Sequence, residues 1–277
     1  MEPVQRPSFG IVEFLVWPFL FAMLLVGADW FVGQRGVEVP DSVPGTVLYA
    51  ALALWLLYRA PRSPYGVDLP TLSARPRRRS DWRLLAIVLP LVAAGAGALY
   101  LVTLAISFAA PDTVAGWLAD SEPGTGASPL RLLPGELIQE AIGAIAEEWL
   151  FRGVLLHLWA RHFGVRFAVL ATSVLFAALH ADVLGSFIFG IVMAALYVRT
   201  GTLLVPIIAH LAFNLFISVG SIVMGEGESV ALVEFRDDWW MAVLGFLGGL
   251  AVIVMVVRRV APWPWRLPDA LPARRAS

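Results

Sequence analysis

The sequence predicts an all-α protein, a polytopic helical bundle of about eight transmembrane helices with both termini in the cytoplasm. Composition is the first observation behind this prediction. Of the 277 residues, 59% are hydrophobic and only 15% are charged, whereas a soluble domain usually carries about 25% charged residues. Apolar runs long enough to cross a bilayer as helices recur along the chain. Residues 1–277 are therefore expected to form a single membrane domain.

The predicted spans follow one another with short polar links between them. They cover residues 11–32, 45–58, 84–109, 134–160, 167–180, 184–197, 203–219 and 239–257. The first is expected to be a retained span, since it lacks the basic segment and cleavage site of a signal peptide. Small residues at 93–98 suit close helix packing in the third span. Pro134 is expected in the first turn of the fourth, where a missing N–H costs nothing.

The loops give the predicted orientation. The loop at 59–83 contains seven arginines and four prolines, which marks it as cytoplasmic. The loop at 110–133 is acidic and is expected to hold a short interfacial helix at 114–118. The Pro- and Arg-rich tail at 261–277 is expected to be flexible. Together these assignments predict a multi-pass protein of a bacterial cytoplasmic membrane, with the bilayer as a partner and no nucleic acid.

The residue types that are missing exclude several chemistries. The chain has no cysteine, so a disulfide, a thiolate metal site and a cysteine nucleophile are all excluded. All 20 basic residues are arginine, which excludes a lysine Schiff base. Any catalytic group must therefore be built from carboxylates, histidines, hydroxyls and amides.

The fourth span carries charges where a membrane helix should carry none. Glu136, Glu140 and Glu147 fall on one helical stripe. Glu148 and Arg152 are four residues apart, the spacing at which a glutamate pairs with a following arginine. This pair would orient Glu147, which lies about 100° around the helix and has no partner within it. Glu147 must therefore find a partner on another helix.

Two later spans supply candidate partners. His180 ends the fifth span, and the fifth and sixth spans are short enough to place the turn after His180 below the membrane surface. His210 lies midway along the seventh span, with Asn214 four residues later on the same face. His157 and His162, at the cytoplasmic end of the fourth span, are interpreted as interfacial and structural.

These residues leave several functions open. They could be a polar network that packs helices, or a proton pathway in a transporter or scaffold. They also fit hydrolysis, with Glu147 and His180 activating a water while His210 and Asn214 bind an oxyanion. Glu147, His180 and His210 could instead hold zinc. No H-E-x-x-H motif supports a metal, and a metal-free mechanism is slightly preferred, with the cofactor left open.

The three motifs together resemble one protein family. Glu147-Glu148-x-x-x-Arg152, Phe176-x-x-x-His180 and His210-x-x-x-Asn214 are similar to the motifs of the CPBP family, the CAAX-processing and bacteriocin-processing (Abi) intramembrane endopeptidases, which include the Ras-converting CAAX endopeptidase. The resemblance covers residues 134–219, the expected catalytic core. It implies an eight-helix bundle that hydrolyses a peptide bond in a membrane-associated or lipid-modified protein or peptide. The sequence indicates neither the substrate nor the oligomeric state.

Overall fold

A computed structural model describes residues 10–34, 42–63, 66–76, 78–119, 129–224 and 232–260, together with residue 267. Within these residues every regular element is a helix and none is a strand. Four described helices are long and apolar enough to cross a membrane, Arg79–Ala109, Pro134–Ala178, Val183–Thr200 and Trp239–Arg259, and two shorter apolar helices cover Val12–Leu25 and Leu204–Val219. The all-α, multi-pass membrane class is confirmed. The count of eight spans and the position of the termini stay predictions.

The helices follow the predicted spans closely at most positions. They are α1 (Gly10–Gly33), α2 (Ser42–Arg59), α3 (Leu69–Leu72), α4 (Val88–Ala109), α5 (Pro111–Ala119), α6 (Pro129–Glu148), α7 (Leu156–Ala178), α8 (Val183–Thr200), α9 (Leu204–Met224), α10 (Leu232–Asp237) and α11 (Trp239–Val260). A 3₁₀ segment at Arg79–Ile87 leads into α4, and a π-helical segment at Trp149–Leu155 joins α6 to α7. The short helix predicted at 114–118 lies within α5. The predicted flexible tail at 261–277 lies outside the described residues, except for residue 267.

The boundaries differ from prediction at three places. Pro134 lies inside α6, which begins five residues earlier at Pro129, so the prediction that it opens the helix is wrong. The predicted break between the fourth and fifth spans is a single residue, Gly164, with φ 82° and ψ 161°. Only glycine adopts this backbone conformation without strain. The sixth span was predicted too short, because α8 has 18 residues.

Contacts between loops collect at two ends of the bundle. At one end, Glu13 of α1 forms an ion pair with Arg59 of α2, and Thr202 donates a hydrogen bond to the carbonyl of Ala74. At the other end, Arg236 of α10 donates to Ser107 of α4. The first end gathers the arginine-rich loop with the α8–α9 connection.

The centre of the bundle is α8, most of whose side chains are buried between α7, α9 and α4. Small residues let α4 and α11 approach closely beside it. A Cβ atom added at Gly249 would lie 2.5 Å from the carbonyl oxygen of Pro90 and 2.8 Å from the amide of Ala94. A Cβ at Gly97 would lie 2.6 Å from the carbonyl of Ala242. The backbones are thus in direct contact, as the small residues at 93–98 predicted.

This contact gives a matched stability test within one helix. Gly249→Ala places a methyl group against the α4 backbone and is expected to destabilise the protein by about 1–3 kcal/mol. Gly248→Ala is the control, because a Cβ there meets no described atom within 4 Å. Thermal unfolding in detergent should show a lower midpoint for Gly249→Ala only. Equal midpoints for the two variants would contradict the close α4–α11 contact.

Candidate active site

The site is built around a charge pair that is fully enclosed by protein. Glu148 is the last residue of α6, and Arg152 lies in the π-helical segment that follows. Arg152 Nη1 donates to Glu148 Oε1 at 2.7 Å, and the two side chains are 1% and 0% exposed. Extra turns of π-helix occur mostly at functional sites, where they re-aim side chains within an otherwise regular helix. The pair predicted from the four-residue spacing is present.

Two neighbouring helices add hydrogen bonds to this pair, while Glu148 Oε2 and Arg152 Nε are buried without a partner among the described residues. Arg152 Nη2 donates to the carbonyl oxygen of Gly190 in α8 at 3.1 Å. His210 Nδ1 of α9 lies 3.0 Å from Glu148 Oε1, the same oxygen that Arg152 binds. Because a carboxylate only accepts, this nitrogen carries the proton. Glu148 therefore orients His210, and its role in orienting Glu147 stays a prediction.

Glu147 points away from the pair and toward two histidines. Its Oε2 atom lies 3.8 Å from His210 Nε2 and 4.0 Å from His180 Nε2. Direct hydrogen bonds do not form at these distances, but one water molecule can bridge each of them. The Glu147 side chain is 12% exposed, His210 is 5% exposed and His180 is 34% exposed. The carboxylate and both imidazoles converge within reach of a single water, from α6, the turn after α7, and α9.

Phenylalanine rings hold the two histidines in place. The Phe176 ring stacks on His180 with a centroid distance of 4.2 Å, and its backbone carbonyl accepts from His180 Nδ1 at 2.7 Å. The guanidinium of Arg152 lies 5.0 Å from the same ring. Phe189 of α8 contacts His210 edge to face at 4.7 Å. The His180 bond fixes the proton on Nδ1, so Nε2 faces Glu147 with a free lone pair.

A cavity of about 260 Å³ opens beside the histidines, and its walls are mostly apolar. His180, His210 and Asn214 line it on one side. The remaining lining comes chiefly from α4, α8 and α9 and includes Gly95, Ala96, Leu99, Phe189, Phe213 and Ile217. Asn214 is thus placed with both histidines along one wall. The cavity presents polar groups to an otherwise apolar occupant.

The other polar residues predicted along α6 have different surroundings. Glu140 accepts a hydrogen bond from Ser218 of α9, and Glu136 is only half-buried. His157, predicted to be interfacial, is 5% exposed and lies 2.7 Å from the hydroxyl of Tyr197. The interfacial prediction is wrong because α7 packs on α8 at this point, and a tyrosine takes the place of water as the histidine's partner. His162 is exposed, as predicted.

The zinc alternative can be tested against the geometry. Three ligands about 2.0–2.1 Å from a tetrahedral zinc lie about 3.3–3.5 Å from one another. The separations of Glu147 from the two histidines are wider, at 3.8 and 4.0 Å. Among the described residues, no three His, Cys, Asp or Glu side chains are arranged as metal ligands. In this conformation the three side chains do not fit a zinc site.

Sequence reasoning missed two features of the site. The π-helical segment has no residue pattern of its own. Tyr49 of α2 packs its ring against Gly143, one helical turn before Glu147, yet a tyrosine in an apolar helix looks like any interface residue. Only the absence of an in-helix partner for Glu147 pointed to additional contacts of this kind.

Comparisons with known proteins identify the segment that holds the site. Residues 131–216 match the family described as "Type II CAAX prenyl endopeptidase Rce1-like". The chain is also 34% identical over 86 residues to a Bacillus subtilis (strain 168) protein named "Putative membrane peptidase YdiL". That match covers 30% of this chain and 35% of the relative, so the chain spans about a third of the relative's length. No solved structure shows significant similarity to the chain. The matched segment contains Glu147, Glu148, Arg152, His180, His210 and Asn214.

The enclosed charge pair yields a stability prediction. Arg152→Met leaves Glu148 buried without its cation and is expected to cost about 3–5 kcal/mol. Removing both charges, with Glu148→Gln and Arg152→Met together, should recover much of that loss, because no buried charge is left over. Thermal unfolding in detergent measures both variants.

Arg62→Met serves as the control for that experiment, since Arg62 lies exposed in the loop after α2. It is expected to leave the unfolding midpoint unchanged. If Arg152→Met behaved like Arg62→Met, the pair would not be the anchor that its burial indicates.

Proposed function

We propose that the protein is an intramembrane endopeptidase of the Rce1-like family, which residues 131–216 match, and the similarity to a protein named as a putative membrane peptidase supports this. Its substrate is a membrane-associated or lipid-modified protein or peptide, and it acts in the bacterial cytoplasmic membrane. The observation that carries the proposal is the convergence of Glu147, His180 and His210 from two helices and a turn beside an apolar cavity. A packing network has no need to leave room for a water between these groups.

The proposed reaction begins with a water between Glu147 Oε2 and His180 Nε2. These atoms are 4.0 Å apart, so a water about 2.8 Å from each can hydrogen-bond to both. His180 offers the lone pair of Nε2, because Nδ1 donates to the carbonyl of Phe176. Glu147 takes a proton as the water oxygen attacks the carbonyl carbon of the scissile bond. The same proton then passes to the leaving nitrogen as the C–N bond breaks.

The position of His210 supports an oxyanion role. Its Nδ1 atom is held by Glu148 at 3.0 Å, which leaves Nε2 directed at the site. Asn214 lines the same cavity and supplies a second donor for the developing negative oxygen. Glu148 and Arg152 act by holding His210 and do not contact the substrate.

The cavity supports a substrate whose chain beside the scissile bond is apolar. Gly95 and Ala96 of α4 form part of its wall and leave space opposite the histidines. Apolar pockets with a few convergent polar groups are typical of sites that orient an apolar ligand for reaction. A substrate peptide held along α4 would bring its carbonyl toward His210 and Asn214.

Glu147→Gln tests the proposal and identifies the substrate together. The substitution keeps the shape of the side chain but removes the base, so cleavage is expected to fall by at least about 100-fold. Proteomics of membranes from the native host, with labelling of new peptide termini, should show an uncleaved protein accumulating in this variant.

Glu136→Gln is the matched control, because it makes the same change on the same helix outside the site. It is expected to behave like the unaltered protein. Cleavage retained in Glu147→Gln would contradict the proposal. If no cleavage product disappears in Glu147→Gln while proton or ion flux changes, the transporter or scaffold alternative is favoured.

The metal question has its own measurement. We expect proteolysis by the purified protein to survive chelators, and metal analysis to find no zinc in a one-to-one ratio. The reason is the geometric misfit of Glu147, His180 and His210 to a tetrahedral ion. Stoichiometric zinc whose removal ends cleavage would overturn the metal-free mechanism.

A further inference from the structure

Tyr49 lies in α2, which is outside the segment that matches the endopeptidase family. Its ring packs against the backbone of Gly143, one helical turn before Glu147, and its hydroxyl interacts electrostatically with the Glu147 carboxylate. The ring is partly buried and packs against the core of the bundle. A tyrosine in such a position usually satisfies its hydroxyl with one polar partner. The carboxylate to which the mechanism assigns the base is the candidate partner.

The packing of α2 on α6 fixes where this hydroxyl lies. Ser42, Gly45 and Tyr49 of α2 contact Gly135, Gln139 and Gly143 of α6 in the same order. The two helices therefore run parallel. The contact at Gly135 and Gly45 is made through glycine, which lets the helices approach closely. The register between the two helices is therefore defined by several successive turns.

Gly143 sets the position of the tyrosine ring itself. A Cβ atom added at Gly143 would lie 3.1 Å from Cε2 and 3.2 Å from Cδ2 of Tyr49. The ring thus lies flat against the α6 backbone, one helical turn before Glu147. Any larger residue at 143 would displace the ring. Gly143 and Tyr49 therefore pack directly against each other.

Glu147 is therefore approached from three sides. Tyr49 faces it from α2, His180 from the turn after α7 and His210 from α9, and Arg152 acts on it electrostatically from the π-helical segment. The two histidines lie near Oε2 at water-bridging distance. A phenol is the one group among these that can anchor the carboxylate without taking the place of the water.

From this arrangement we infer that Tyr49 is a positioning residue of the endopeptidase. It donates a hydrogen bond to Glu147 and so orients the Glu147 carboxylate toward the water. The inference rests on the proposed function and extends it to a helix outside the matched segment. Hydrogen bonds of this kind are often long in the free enzyme and tighten when substrate is bound. Tyr49 touches neither the water nor the substrate, and it acts only through Glu147.

The first test compares Tyr49→Phe with Tyr58→Phe in detergent-purified protein. Tyr58 lies on the same helix and is 61% exposed. The probe is a fluorogenic peptide that ends in a farnesylated Cys-aliphatic-aliphatic-X sequence. Tyr49→Phe is expected to lower kcat about 10-fold with little change in KM, the low end of what losing an orienting partner costs. Tyr58→Phe should leave kcat unchanged.

A second variant reaches the same contact from the other helix. Gly143→Ala pushes the ring away and leaves every atom of Tyr49 and Glu147 in the chain. It should lower kcat like Tyr49→Phe, and the double variant should be no slower than either single one. A lower unfolding midpoint with an unchanged kcat in Tyr49→Phe would show a purely structural role and overturn the inference.

A third readout needs no substrate. Dicyclohexylcarbodiimide labels protonated carboxyl groups in apolar surroundings, and mass spectrometry can quantify its adduct on Glu147. A hydroxyl bound to the carboxylate shields it from the reagent, so Glu147 should be labelled several-fold faster in Tyr49→Phe. Equal labelling would overturn the inference. If the farnesylated peptide is not cleaved at all, that result counts against the proposed substrate class, while the labelling still decides the role of Tyr49.

Discussion

The buried charge pair between Glu148 and Arg152 is the constraint on which the rest of the site depends. Each charge in a membrane helix costs about 2.5–3.5 kcal/mol on insertion scales. An enclosed pair offsets this cost only if its geometry is good and its remaining polar atoms find partners. Here Gly190 of α8 binds Arg152 Nη2 and His210 of α9 binds Glu148 Oε1, while Glu148 Oε2 and Arg152 Nε have no partner among the described residues. Satisfying the pair therefore draws α6, α8 and α9 together.

The same requirement separates the roles of the two adjacent glutamates. Glu148 has a structural role, since its Oε1 atom binds both Arg152 and His210. Glu147 comes one residue earlier on the helix, so its carboxylate faces the histidines instead, and a water fits between it and His180. Two identical side chains thus differ in function because of the helix geometry that separates them. Phe176 links the two halves, since its ring contacts both Arg152 and His180.

Much of this site could be predicted from the sequence because its signals are local or costly. The Glu148–Arg152 pair follows from a four-residue spacing, and the need of Glu147 for outside partners follows from its angle on the helix. Histidines at membrane depth stand out because polar groups there are rare. The all-α class follows from apolar runs that soluble proteins lack.

The parts that could not be predicted depend on tertiary contacts with no local signal. The π-helical segment changes the path of the chain without a distinctive residue. His157 looked like an interfacial residue because its burial is decided by how α7 packs on α8. Tyr49 became informative only when α2 was seen to lie along α6, with Gly143 against its ring. In each case a side chain's neighbours, not its position in the sequence, decide its role.

The central claim is that Glu147 and His180 hold a water for attack, and an experimental structure at a resolution that shows ordered water tests it most directly. The account predicts a water within about 2.6–3.2 Å of both Glu147 Oε2 and His180 Nε2. It also predicts that His210 Nδ1 stays bonded to Glu148. A metal ion bound at about 2.0–2.1 Å to Glu147, His180 and His210 would contradict it, as would an apolar side chain packed between the carboxylate and the histidines.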